Sequence, residues 1–127
     1  KLAPAIGDPS RPRFLRWTVY LATTIYMSDL RMYFPERYTL AAQGAAAIKA
    51  KAIEDMARDF AIYAQALGQG PFILGAAMSV TDIYAAMLIT WVPSMEELFA
   101  KHANLKAMYE AVTAVPAVAA VWQRNGM

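Results

Sequence analysis

The stretch SVTDIYAAMLITW, residues 79–91, constrains the fold more than any other part of the chain. After Asp82 no charged residue occurs until Glu96, and Ile83, Tyr84, Met87, Leu88, Ile89, Trp91 and Val92 point to every side of a helix. A helix that is apolar all round has to be enclosed by other elements, so it belongs at the centre of a bundle. The start of such a helix is dry, and its first N–H groups cannot rely on water. Ser79 and Asp82 have the S-x-x-[DE] spacing of a reciprocal N-terminal cap. In that motif the Ser hydroxyl accepts from the N–H of residue 82 and the Asp carboxylate from the N–H of residue 79. The negative charge also suits the positive end of the helix dipole. An enzyme base is the competing reading, but no second titratable group lies near Asp82 in sequence. We therefore read Ser79 and Asp82 as a structural capping box.

The remaining pattern is helical too. After a linker-like start with Pro4, Pro9 and Pro12, a helix is expected from about Ser10–Pro12, ended by Pro35. Phe14, Trp17, Leu21 and Ile25 follow 3–4 spacing and should face a core. A second helix is expected from about Leu40 to Leu67, with Ile48, Ala52, Met56, Phe60 and Ala64 as its buried stripe and Gly68 at its C-cap. A short helical turn around Ser94–Ala100 follows. Asn104 can cap a helix with Leu105, Met108 and Val112 on one face, and Pro116 opens a last short helix. No segment alternates with period two. The expected fold class is all-α, a bundle of two long helices and several shorter ones.

Composition narrows the chemistry. The chain has no Cys, which excludes disulfides, Fe–S clusters and thiolate zinc sites. His102 is the single histidine, so no multi-His metal site can form, and no metal site is expected. The twelve basic residues are scattered and the net charge is only +2, so no nucleic-acid or membrane partner is expected. The uncharged stretch 60–81 is broken by Gly68, Gly70, Pro71 and Gly75, too broken for a membrane span. A soluble protein is the better reading, and lack of Cys fits a reducing cytoplasm. His102 reads as a solvated surface residue, and the group Arg13, Arg16, Arg31 and Arg37 as a solvated or dimer-facing surface.

LGAAMSVTDIYAAML resembles the Gly-x-x-x-Ser/Thr-x-x-Asp segment that opens the core helix of the C-terminal domain of glutathione transferases. LAPAIGDPSRPRFLRW resembles that family's interdomain linker and first C-terminal helix, and NLKAMYEAVTAVPAVAAVW its closing helices. The likeness therefore covers almost the whole chain, and the bacterial, beta-like classes are nearest. It implies a linker remnant at residues 1–9 and a helical domain at 10–127, without the thioredoxin-like N-terminal domain that binds glutathione. It also implies a homodimer formed through the first two long helices, with Phe34, Tyr38 and Leu40 near the interface.

Residue by residue, Tyr26 falls where beta-class relatives have a histidine near the substrate. Val19 and Thr24 fall where they have an Asn and a Glu that approach the active site, so those polar positions are apolar or neutral in this chain. Tyr20, Tyr84 and Trp91 match family aromatics. Tyr20, Tyr26, Tyr84 and Trp91 are thus the implied substrate-binding residues, although Trp17, Tyr84 and Trp91 also have the spacing of core residues. No catalytic residue and no cofactor is expected in this chain. Glutathione would be the co-substrate of the full-length parent, a detoxification enzyme acting on small hydrophobic electrophiles, and the isolated chain should be inactive. The alternative is a non-catalytic helical protein-interaction module, as attached to translation factors and aminoacyl-tRNA synthetases.

Overall fold

A computed structural model describes residues 1–126; Met127, the last residue of the expected domain, lies outside the described residues. Among them, regular structure is helical apart from one isolated antiparallel bridge between Phe72 and Gly75. The elements are α1 (Arg11–Tyr20), a π-helical turn (Leu21–Ile25), α2 (Tyr26–Tyr33), two short 3₁₀ turns (Pro35–Tyr38 and Ala42–Gly44), α3 (Ala45–Leu67), α4 (Val80–Ile89), α5 (Met95–Lys101), α6 (Ala103–Thr113) and α7 (Pro116–Arg124). The all-α bundle expected from the hydrophobic periodicity is the observed fold.

The first expected helix is present but interrupted in register. The Tyr26 N–H bonds to the Leu21 carbonyl, one residue further back than in an α-helix. Leu21 and Ile25 stay fully buried on either side of this wide turn, while the following residues are rotated to a new face. Pro35 does stop the rod, and Phe34 leaves helical geometry at φ −131°, ψ 51°.

The second long helix begins five residues later than expected, at Ala45 rather than Leu40. Thr39 is extended, and its hydroxyl accepts from the Ala41 N–H and donates to the Ala41 carbonyl, which holds the chain in a turn. Gly44 packs close on that hydroxyl: a Cβ there would lie 2.8 Å from Thr39 Oγ1. At the other end Gly68 takes φ +64°, the left-handed stop that glycine adopts without strain.

α2 packs along α3, and α4 lies against α1, the π-helical turn and α6. Trp17, Leu21, Ile25, Met56, Phe60, Tyr63, Leu88, Leu105 and Met108 form the centre of the core. Trp17 sits edge-on to both Tyr20, at 5.2 Å, and Tyr63, at 5.6 Å. Each such large side chain contributes roughly 1.5–3 kcal/mol on burial. α4 is less enclosed than its composition suggests. Ala85, Ala86, Leu88 and Ile89 are buried, whereas Ile83, Tyr84 and Met87 are only half-buried. Its packing partners cover one side and leave the other partly open.

Two polar residues do more than expected. Arg13 is not merely solvated: its Nε donates to the Ile73 carbonyl at 2.7 Å and its Nη2 to the Ala66 carbonyl, which ties α1 to the last turn of α3 and to the loop that follows it. His102 occupies the N-cap position of α6 without a side-chain cap bond, and Asn104, in the first turn, caps with its Oδ1, which accepts the Leu105 N–H at 3.0 Å. Its amide donates to the Ala64 and Gly68 carbonyls and so fastens α6 to the end of α3.

Candidate functional site

The N-terminus of α4 is built around Asp82, which is fully buried. Its Oδ2 accepts from the Ser79 N–H and from the Ser79 hydroxyl, each at 2.8 Å. Its Oδ1 accepts from the Ile73 N–H at 2.7 Å. Ser79 is extended, at φ −128° and ψ 172°, as a residue flanking a helix start should be. The neighbouring Thr81 hydroxyl pairs with that of Thr18 on α1 at 2.6 Å, and the Val80 N–H donates to the Leu2 carbonyl at 2.8 Å. Both oxygens of Asp82 are therefore engaged by the protein, in an arrangement that holds a loop, a helix start and the chain's first residues together.

The open chemistry lies at the other end of α4. Tyr26, Asp29, Leu30, Tyr33, Phe34 and Trp91 line a cleft of about 420 Å³. The spacing along α2 explains the first of these: positions 26, 29, 30 and 33 share one helical face. Trp91 comes from the turn that follows α4. Its ring lies 6.0 Å from that of Tyr26, and its carbonyl accepts the Tyr33 hydroxyl at 2.9 Å. Tyr84, half-buried on α4, is close enough to Tyr26 and Asp29 that both reinforce the upward shift of its phenol caused first by burial.

The implied substrate residues thus divide. Tyr26 and Trp91 share the cleft wall, and Tyr84 lies beside it. Tyr20 lies apart, its ring against Trp17 and its hydroxyl donating to the Asp59 carbonyl at 3.1 Å. Burial, with Asp59 nearby, pushes that phenol up to about 12. Val19 is exposed and Thr24 half-buried.

Asp29 is the site residue that sequence reasoning missed. It is 1% exposed, and neither carboxylate oxygen has a hydrogen-bond partner. Burial pushes its carboxyl up to about 7. The available signal was its spacing, three residues after Tyr26 and four before Tyr33.

A second, tighter cavity of about 90 Å³ lies between α3 and α5, lined among others by Ile53, Phe60, Glu97, Lys101 and His102. His102 is half-buried at the junction of α5 and α6 rather than solvated, and burial, with Lys101, lowers its pKa. No helix among the described residues is long and apolar enough to cross a membrane.

Comparison with known proteins agrees with this architecture. The family model described as glutathione S-transferase, C-terminal domain, matches residues 28–124. The GST-like protein YncG of Escherichia coli K12, itself uncharacterized, is 27% identical over 124 residues, covering 98% of this chain and 60% of that protein. A glutathione transferase homolog from Sulfitobacter, solved with bound glutathione, superposes with a TM-score of 0.88 at 22% identity. The bacterial GST BphK, solved as a ternary complex, gives 0.80 at 20% identity. Each of these two alignments covers 99% of this chain and 60% of the other. At such identities the structural likeness speaks for the fold alone. The chain spans 60% of the length of these relatives. With the family model matched over most of its residues, the chain belongs to the glutathione S-transferase C-terminal domain family.

Proposed function

We propose that this domain supplies the hydrophobic-substrate pocket and part of the dimer interface of a cytoplasmic glutathione transferase-like enzyme. In the whole protein a thioredoxin-like domain would hold glutathione and stabilise its thiolate. The helical domain would hold a small apolar electrophile beside the sulfur, and orientation of that kind can remove a large part of a bimolecular barrier. The observation that carries this reading is the cleft in which Tyr26, Tyr33, Phe34 and Trp91 present aromatic surface around about 420 Å³. That size and lining suit a small aromatic ligand.

The test uses this domain joined to its thioredoxin-like half, with glutathione and an aromatic electrophile as substrates. Trp91→Ala and Tyr26→Ala should raise the KM for the electrophile several-fold and leave the KM for glutathione nearly unchanged. Equal kinetic constants in wild type and both variants would contradict the pocket assignment. Absence of any thiol-dependent turnover would favour a protein-interaction module instead.

A further inference from the structure

Asp29 is a buried polar group of the cleft whose carboxylate oxygens have no partner. A buried carboxylate normally comes with hydrogen bonds or a counter-ion, because leaving it bare is expensive. Asp29 has neither on either oxygen. Arg31 on α2 and Arg58 on α3 are engaged elsewhere. Arg31 donates to Ser28 Oγ at 3.0 Å and lies 3.7 Å from Asp55, and Arg58 pairs with Asp55 and Asp59. Ser28 donates to Asp59 at 3.3 Å. The titratable groups beside Asp29 are Tyr26 and Tyr33 on its own helix and Tyr84 on α4, and no Lys or Arg lines the cleft.

The rest of the wall is aromatic: Tyr26, Tyr33, Phe34 and Trp91. Ring faces carry negative potential and attract organic cations, most strongly where water is excluded. A single carboxylate among four such rings is a complementary receptor for a compact ammonium group. We propose that the cleft takes ligands that carry a protonated amine on a small apolar body, with Asp29 as the counter-ion and the rings as walls. This rests on the reading of the cleft as the substrate pocket, and it adds the class of substrate. Both oxygens of Asp29 are sealed behind the wall, so the ammonium reaches them when a ring turns aside. Tyr33 is pinned to the Trp91 carbonyl, so the ring that turns is one of Tyr26, Phe34 and Trp91.

The sign of the pH dependence follows. A bound ammonium favours the ionised carboxylate, and the carboxyl of Asp29 stands at about 7. Between pH 6 and 8 its ionised fraction rises by about tenfold, and affinity for an amine that stays protonated throughout should rise by about the same factor.

The experiment is isothermal titration of the protein with phenethylammonium chloride and with its uncharged counterpart 2-phenylethanol, at pH 6 and pH 8. Asp29→Asn is measured alongside, with circular dichroism as the check on its fold. At pH 8 the ammonium should bind the wild type about tenfold or more tightly than the alcohol. That preference should fade at pH 6 and vanish in Asp29→Asn. Equal affinities for the two ligands in the wild type at pH 8 overturn the proposal while leaving an apolar pocket in place. A preference that survives in Asp29→Asn overturns it as well. Failure of both ligands to bind overturns it together with the pocket reading. The wild-type comparison stands by itself even if the variant does not fold.

Discussion

The Asp82 carboxylate holds Ser79 twice, through the backbone N–H and through the hydroxyl, both at 2.8 Å and on the same oxygen. With its other oxygen on the Ile73 N–H, one side chain satisfies the start of α4 and the loop before it. A helix end closed off from water has no substitute for these bonds.

Asp82→Ala should therefore destabilise the fold more than alanine at any other acidic position. Loss of a cap costs about 1 kcal/mol, and the stranded donors add a further ~1–3 kcal/mol. Ser79→Ala should act in the same direction, and the double variant should be less than additive, since both residues serve one motif. Glu96→Ala and Glu97→Ala, at exposed positions, should stay within about 0.5 kcal/mol. Urea midpoints of these variants decide the matter, and an Asp82→Ala midpoint equal to wild type would contradict the capping account.

Asp29 should make stability fall with rising pH. Its folded carboxyl stands at about 7, well above the unfolded value of ~3.9. Below pH ~4 both states hold the proton and no penalty arises. Between roughly pH 4 and 7 the unfolded chain releases it while the folded one keeps it, so the unfolded state binds fewer protons and stability declines. The loss is complete above pH 7, with an upper bound of roughly 4 kcal/mol. Asp29→Asn should lack this decline and be the more stable protein at pH 8, as urea unfolding at pH 5 and pH 8 would show.

Arg13 should matter although its side chain looks like surface. Arg13→Ala removes two charge-assisted donors from the Ala66 and Ile73 carbonyls, at about 1–3 kcal/mol. Arg13→Lys should recover only part, because an ammonium cannot present the same fork. Amide hydrogen exchange should accelerate selectively in the loop from Gly68 to Gly75.

How far the sequence discloses all this depends on how local each interaction is. The buried stripes Phe14–Trp17–Leu21–Ile25 and Ala52–Met56–Phe60–Ala64 repeat at helical spacing, so periodicity alone locates them. The cap is three residues wide and equally legible. What escapes is whatever depends on distant partners or on a change of register. The π-helical turn leaves no compositional mark, yet it sets the face on which Tyr26 and Asp29 project. Arg13 reaches across 60 residues to Ile73, and Asn104 across 40 to Ala64. Asp29 reads as an ordinary polar position until α2 is laid against α3 and α4 and its carboxylate is found buried and bare.

The proposed dimer places Phe34, Tyr38 and Leu40 near its interface, and all three are exposed in this chain. Leu40→Glu combined with Tyr38→Ala should shift the sedimentation coefficient from dimer to monomer without changing the circular dichroism spectrum. A wild-type chain that sediments as a monomer at high concentration would count against this surface.

The most direct measurement of the pocket assignment is a two-dimensional NMR titration of the protein with an uncharged nitroaromatic compound. Saturable shifts should gather on Tyr26, Leu30, Tyr33, Phe34 and Trp91, the walls of the 420 Å³ cleft, and spare Tyr20. Shifts centred instead on the cavity between Ile53 and His102, or no saturable shifts at all, would contradict it.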